Sequence, residues 1–92
     1  MYRLVYSETC REQIRTAHPK IKLVLKSRLE RLKIDPYFGK RLERELSGYW
    51  SIRAKRFRII YKARESQLEI EIHYVGHRKD VYQLFRENIG EG

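Results

Sequence analysis

The spacing of apolar residues predicts two helices in the first third of the chain. Cys10, Ile14 and Ala17 recur at i, i+4 and i+7 on one stripe, after Ser7, which can cap a helix. A second helix begins near Pro19, a residue that suits the first turn. Its apolar face contains Ile21, Val24, Leu25, Leu29 and Leu32. Because the break between the helices is so short, they must form a hairpin or cross steeply.

From residue 49 onward the pattern changes to a period of two, which predicts three strands at roughly 50–54, 57–63 and 68–75. Short polar turns separate them, so they form an antiparallel meander with one face buried. In this pattern Ile60 and Val75 lie on the opposite face, among basic residues. A last helix follows, capped by Asp80 and ended by Gly90.

With a short strand at 2–6, the predicted order is β-α-α-β-β-β-α. This is an α+β fold in which a helical hairpin packs on an antiparallel sheet and a helix closes the chain. The sequence has 92 residues, which fits one domain spanning 1–92. Residues 35–39 form a turn by composition, and a charged linker runs from there to Gly48, with Leu42 and Leu46 as its apolar anchors.

The charge of the chain narrows the possible partners. It has 21 Lys and Arg against 12 Asp and Glu, a formal net charge of +9. Such a field favours a polyanion such as RNA or an acidic protein. One cysteine predicts no internal disulfide, and the three scattered histidines show no spacing typical of a metal site. No apolar run approaches the roughly 20 residues of a membrane span, so we expect a reduced, cytoplasmic protein without a membrane partner.

The candidate chemistry lies on the polar face of the meander and at the bend after it. The residues that this surface would bring together are Arg53, Lys55, Arg58, Lys62, His77, Arg78, Lys79 and Tyr82. Guanidinium groups bind phosphate oxygens in bidentate fashion, an aromatic ring can stack on a base, and an imidazole or phenol can move a proton. The combination predicts a groove for a phosphodiester.

A structural interpretation of the same residues stays open. Alternating Arg and Lys on a strand are also typical of a solvated face. Arg58 could pair with Glu69 or Glu71 across the meander. His77 could be an ordinary loop histidine, and Tyr82 could serve packing alone.

Four segments together resemble the RelE/ParE superfamily of bacterial and archaeal toxins. They read D-P-Y-F-G-K-R-L at 35–42, L-S-G-Y-W-S-I-R at 46–53, R-I-I-Y at 58–61 and G-H-R-K-D-V-Y at 76–82. The resemblance covers essentially the whole chain, in order. It implies the superfamily fold and a toxin of a type II toxin–antitoxin system.

The RelE branch of that superfamily consists of endoribonucleases that cut mRNA in the ribosomal A site. Their reaction is attack of the 2′-OH on the adjacent phosphate, without a metal or cofactor. By position, the resemblance implies that Arg53 and Arg58 stabilise the developing charge and that Arg78 acts near the leaving oxygen. Tyr82 would act on the 2′-OH or stack on a base, and Lys55, Lys62 and Lys79 would bind RNA.

The chain departs from the RelE pattern at one position. Many RelE-branch enzymes carry a second basic residue on the first meander strand, where Ser51 stands here. Lys55 or His77 could substitute for it. The departure leaves open which residue is the general base and which is the general acid.

Two other functions are compatible with the resemblance. The ParE branch shares the fold and inhibits DNA gyrase by protein binding, and an inactive RNA- or antitoxin-binding module is a third class. Retention of Arg53, Arg58, Arg78 and Tyr82 favours the RelE branch. Either branch implies a cognate antitoxin, acidic in the segment that binds the toxin. For the RelE branch the resemblance also implies the ribosome and mRNA as partners. The toxin and the antitoxin could form a heterotetramer.

Overall fold

Three helices and a five-stranded sheet make up the protein in a computed structural model that describes residues 1–91, with side chains through residue 89. The strands are β1 Arg3–Tyr6, β2 Lys40–Arg41, β3 Trp50–Ala54, β4 Phe57–Arg64 and β5 Glu69–His77. The helices are α1 Glu8–Thr16, α2 Pro19–Ile34 and α3 Val81–Glu91. The α+β class and the predicted order are confirmed, with β2 as an added element. The helix predicted to stop at Gly90 continues through it.

The strand order in the sheet is β1-β5-β4-β3-β2. β3, β4 and β5 form the predicted antiparallel meander. The sheet is not antiparallel throughout, because β1 pairs with β5 in parallel. A parallel pair needs a long crossover, and the segment containing both helices and two meander strands provides it. β2 contributes only two residues to the edge of β3.

The helices begin where the sequence places caps. The hydroxyl of Ser7 accepts a hydrogen bond from the backbone N–H of Cys10 at 3.0 Å at the start of α1. At the start of α2, Nδ1 of His18 accepts from the N–H of Lys20 at 3.1 Å, and Pro19 occupies the first turn. These caps fix α1 and α2 as the hairpin that covers one face of the sheet.

Two apolar clusters pack on the two faces of the sheet. The larger one lies beneath α1 and α2 and contains Cys10, Leu25, Leu29, Leu32, Ile52, Ala54, Ile59, Tyr61, Ile70 and Ile72. The smaller one lies beneath α3 and contains Leu46, Ile60, Val81 and Phe85. We call the first side the hairpin face and the second the α3 face. No helix among residues 1–91 is long and apolar enough to cross a membrane.

A β-bulge in β5 changes which side chains reach each face. Ile60 pairs with Tyr74 but Tyr61 pairs with Ile72, so His73 is an extra residue in β5. Both His73 and Tyr74 therefore face α3, where each ring contacts Phe85. The prediction that Val75 lies among the basic residues is wrong, because the bulge turns it to the hairpin face.

The bend between β5 and α3 depends on a glycine. A Cβ at Gly76 would lie 2.9 Å from Cγ2 of Val81, closer than real Cβ contacts. The missing side chain lets Val81 pack directly against the end of β5, where it is fully buried. The first turn of α3, which carries Tyr82, is consequently held over the α3 face.

Candidate functional site

A fully buried serine lies at the centre of the candidate site. Nη1 of Arg58 donates to Oγ of Ser51 at 3.0 Å, and the hydroxyl of Tyr82 donates to the same oxygen at 3.2 Å. Ser51 is on β3, Arg58 on β4 and Tyr82 in the first turn of α3, so three elements meet at one oxygen. We call these three residues the serine cluster. The structure thus brings together Arg58 and Tyr82, both of which the sequence predicts as site residues. They meet at Ser51, the position where the chain departs from the RelE pattern.

The backbone beside Ser51 is set by another close approach. A Cβ at Gly39 would lie 2.5 Å from the carbonyl oxygen of Ser51, so only glycine fits there. The N–H of Gly39 donates to the Tyr61 hydroxyl at 3.2 Å. Burial raises the pKa of Tyr61 to about 12, and the hydrogen bond from Gly39 opposes that rise. The phenol is therefore protonated, and its hydrogen bond with Gly39 helps to position the next residue, Lys40 of β2, opposite Ser51 of β3.

Arg53 lies beside the serine cluster rather than in it. It is directly opposite Arg58 in the β3–β4 ladder, so both side chains are on the α3 face. Its Nε donates to the carbonyl of Lys55 at 2.9 Å. Arg58 pairs with neither candidate glutamate, because Glu69 binds Arg3 and Glu71 binds Arg64. An ion pair with one of these carboxylates therefore does not explain why an arginine stands at position 58.

A basic groove runs from the serine cluster around the edge of β3 to α2, with a volume of about 1030 Å³. Its basic lining residues are Arg28, Arg31, Lys33, Lys40, Arg53, Lys55 and Arg58. The one carboxylate in the lining belongs to Glu30, which pairs with Lys33 at 3.2 Å. A smaller cleft of about 400 Å³ is lined by Tyr82 together with the cations Lys40, Arg41 and Arg86 and one carboxylate, that of Glu43. Cations therefore line the cleft at Tyr82 as well as the groove at Arg58.

The structure separates His77 from the serine cluster. His77 pairs with Phe57 across the β4–β5 ladder, and their ring centroids are 5.9 Å apart. Arg58 pairs with Gly76, the next position, so the side chains of Arg58 and His77 lie on opposite faces. Nδ1 of His77 accepts a hydrogen bond from the N–H of Lys79 at 3.3 Å. Its ring thus supports the bend before α3.

The remaining predicted residues lie at the margins of the site. Arg78 and Lys79 are exposed in the bend, and the N–H of Arg78 donates to the carbonyl of Arg56 at 2.7 Å. Nζ of Lys62 is 5.2 Å from the centroid of the Tyr49 ring. Lys62 is four residues along β4 from Arg58, about 13 Å at the usual rise per residue. Neither Arg78 nor Lys62 contacts the serine cluster among the described side chains.

Sequence reasoning missed the basic residues outside the meander. Lys40 and Arg41 lie in the segment that the sequence predicts as a linker, and Arg28 and Arg31 lie on α2 outside its predicted apolar face. A signal for Lys40 exists in retrospect, because Gly39 precedes it and a close backbone approach requires glycine. No sequence signal shows that α2 passes beside the edge of β3.

The arrangement can bind a phosphodiester and move a proton next to it. Guanidinium groups offer paired N–H donors to phosphate oxygens, and the phenol is held beside one of them. No group of three His, Cys, Asp or Glu side chains that could hold a metal ion occurs in the part of the chain described here. The groups at hand are cationic and phenolic.

This fold is shared with toxins of type II toxin–antitoxin systems. The structure resembles the RelBE2 toxin–antitoxin complex from Mycobacterium tuberculosis, with 29% sequence identity, a TM-score of 0.75 and coverage of 84% of this chain and 98% of that one. It also resembles the isolated RelE toxin of E. coli, with 19% sequence identity, a TM-score of 0.74 and coverage of 97% of this chain and 99% of that one. A YoeB/ParE toxin from Agrobacterium tumefaciens is similar too, with 19% identity, a TM-score of 0.73 and coverage of 85% of this chain and 99% of that one. Among curated proteins, none matches the sequence.

The family itself follows from the sequence. The family model described as "ParE toxin of type II toxin-antitoxin system, parDE" matches residues 2–82, and the chain belongs to that family. The protein is therefore a type II toxin of the RelE/ParE superfamily, and the resemblance noted in the sequence is confirmed.

Proposed function

We propose that this toxin is a ribosome-dependent mRNA endoribonuclease of the RelE kind, working without a metal or cofactor. The observation that carries the proposal is that Arg58 and Tyr82 share Oγ of Ser51. A cation for the phosphate and a hydroxyl group for proton transfer thus lie within one nucleotide linkage of each other. A surface used only to dock a protein has no need of a buried oxygen that aligns these two side chains.

The proposed reaction assigns a role to each side chain. The 2′-oxygen forms a bond to the adjacent phosphorus and the bond to the 5′-oxygen breaks, leaving a cyclic phosphate and a 5′-hydroxyl end. Tyr82 acts on the 2′-OH or stacks on a base, and Arg58 with Arg53 stabilises the charge on the phosphorane. Arg78 acts near the leaving oxygen from the bend, where its exposed side chain is free to reach the RNA. Lys55, Lys62 and Lys79 contribute to RNA binding.

The proposal also covers the cellular compartment of the toxin, its antitoxin partner and the assembly of the two. Residues 1–92 form one toxin domain that acts in the cytoplasm and is neutralised by a cognate antitoxin with an acidic toxin-binding segment. The complex with an antitoxin seen for the M. tuberculosis relative, and the net charge of +9, support this partner. A heterotetramer is the assembly that we expect for the pair.

The experiment is to express the toxin alone and map the 5′ ends of cellular mRNA. We expect new 5′ ends at fixed positions within codons, and their loss in Arg58→Ala and Tyr82→Phe variants. Tyr37→Phe is the matched control, because Tyr37 is an exposed tyrosine that contacts Glu65 outside the site. Codon-positioned cuts that persist in both site variants would overturn the assignment of the site.

Gyrase inhibition is the second candidate, favoured by the ParE family model that matches residues 2–82. A gyrase inhibitor acts by protein binding and predicts DNA breaks and an SOS response instead of mRNA cuts. Measuring both outputs in the same cells separates the two functions. DNA breaks without mRNA cleavage would replace the nuclease proposal with this one.

A further inference from the structure

Two arginines at the edge of β3 are each anchored by a single N–H. Nε of Arg28, on α2, donates to the carbonyl of Arg53 at 3.0 Å, and Nε of Arg53 donates to the carbonyl of Lys55 at 2.9 Å. The remaining N–H donors of a guanidinium are then its terminal amino groups, which form the fork that binds phosphate. The anchors hold the two side chains in place and so reduce the entropy lost when an anion binds.

The edge of β3 is open where these arginines lie. β2 pairs only with Trp50 and Ser51, so the outer edge of β3 at Arg53 has no neighbouring strand. The carbonyl of Arg53 points away from β4 towards α2, where Arg28 satisfies it. An uncovered edge invites pairing with other strands, and charged residues are a common way to prevent this. Here the charge also forms part of a groove that continues to the serine cluster.

The charge at this edge is not neutralised within the described residues. No carboxylate lies within ion-pair distance of Arg28, Arg53 or Lys55 in residues 1–89. Lys55 is also held at a left-handed φ of 56°, a conformation that side-chain-bearing residues adopt at a cost. Within the described residues, three cations without a carboxylate partner thus lie at or near a strained turn, an arrangement that stability alone does not explain.

We infer that Arg28 forms a second phosphate-binding site, which holds the RNA backbone flanking the linkage at the serine cluster, where Arg53 acts. The site rests on the proposed function for the identity of its ligand, a single-stranded RNA segment. Arg28 lines the same groove as Ser51 and Arg58, so the RNA passes over the edge of β3 towards α2. The groove binds the backbone through phosphate contacts and carries no base specificity at this point.

The test measures binding of a labelled 2′-O-methyl oligouridylate of about ten nucleotides, within the usual footprint of single-strand binders. This RNA lacks the 2′-OH and is not cleaved, so binding is separate from nuclease activity. We expect Arg28→Ala to weaken binding about tenfold. The slope of log K against log salt should fall in magnitude by about 0.7, the value for one phosphate on a single strand.

Lys20→Ala is the matched control, since it removes one exposed cation from α2 outside the groove. Arg28→Lys keeps the charge and removes the fork, and we expect it to recover only part of the affinity. Thermal unfolding establishes that each variant is folded. Equal affinity and slope for the Arg28→Ala and Lys20→Ala variants would overturn the inference, even if the toxin proves to be a nuclease.

A poly-glutamate peptide serves as the competing ligand. If Arg28→Ala weakens binding of the peptide and leaves RNA binding unchanged, the site belongs to an acidic protein segment and the inference is wrong. If RNA binding falls as expected in a toxin that cleaves no mRNA, the second phosphate site stands and the proposed function fails. The two failures are therefore distinguishable.

Discussion

Arg53 and Arg58 lie directly opposite each other on β3 and β4, with both side chains on the α3 face. Like charges at directly opposed positions of a sheet destabilise it. Arg58 is partly compensated by its hydrogen bond to Ser51, whereas Arg53 is bound only to a carbonyl in the following turn. The pair therefore lowers the stability of the meander where the polyanion is proposed to bind.

Replacement of Arg53 by threonine should make the protein more stable. Threonine favours strands and removes the repulsion, so we expect the free energy of unfolding to rise by about 0.5 kcal/mol at low salt. The gain should shrink as salt screens the pair. Urea unfolding at two salt concentrations measures it, with Arg41→Thr as the control because Arg41 faces Trp50. A loss of stability in Arg53→Thr would show that the anchor to Lys55 outweighs the repulsion.

Replacement of Ser51 by alanine should disable the site while leaving the fold intact. Ser51 is fully buried, and its oxygen is the common acceptor for Arg58 and Tyr82. We expect the rate of mRNA cleavage to fall by about tenfold to a hundredfold, with the loss in kcat rather than KM. Cleavage on programmed ribosomes measures this. Ser66→Ala, at an exposed serine, is the control, and unchanged kcat in Ser51→Ala would contradict the role of the shared oxygen.

The sequence predicted the meander and the helices because their apolar periods are regular, and it predicted Arg58 and Tyr82 through the resemblance. It could not reveal the bulge at His73, since one extra residue in a strand leaves no mark on composition. That bulge moves Val75 to the hairpin face. The importance of Ser51 was also hidden, because it comes from a meeting of three distant segments. Long-range contacts of this kind depend on the whole fold rather than on local pattern.

Glu71 should make the stability of the toxin sensitive to acid. Burial raises the pKa of Glu71, but hydrogen bonds from Arg64 and His73 outweigh it and leave the pKa below its usual 4.5. A lowered folded-state pKa means that the carboxylate stabilises the fold above about pH 4.5, and that this contribution is lost as the pH falls through the folded value. Glu71→Gln should therefore be less stable than the wild type at neutral pH. The gap should close in acid, and urea unfolding across this range would contradict the assignment if the gap stayed constant.

His77 tests whether the two faces of the sheet are functionally distinct. Its ring lies on the hairpin face beside Phe57, and its neighbour Gly76 is the residue opposite Arg58. A general acid or base must come within hydrogen-bond reach of the proton it transfers, and β5 is a regular strand at this point. We therefore expect His77→Ala to leave the cleavage rate within about twofold of wild type, the usual range for substitutions away from a site. The change in unfolding free energy should reflect the lost contact with Phe57 and the lost hydrogen bond from the N–H of Lys79.

The same cleavage assay gives the contrast that decides the point. Tyr82→Phe, which removes one oxygen from the serine cluster, should lose most activity, whereas His77→Ala removes a whole imidazole and should lose little. A loss in His77→Ala as large as that in Tyr82→Phe, with the fold intact, would mean that the bend at 77–80 rearranges around the RNA. In that case the imidazole would join the phenol as a candidate for proton transfer.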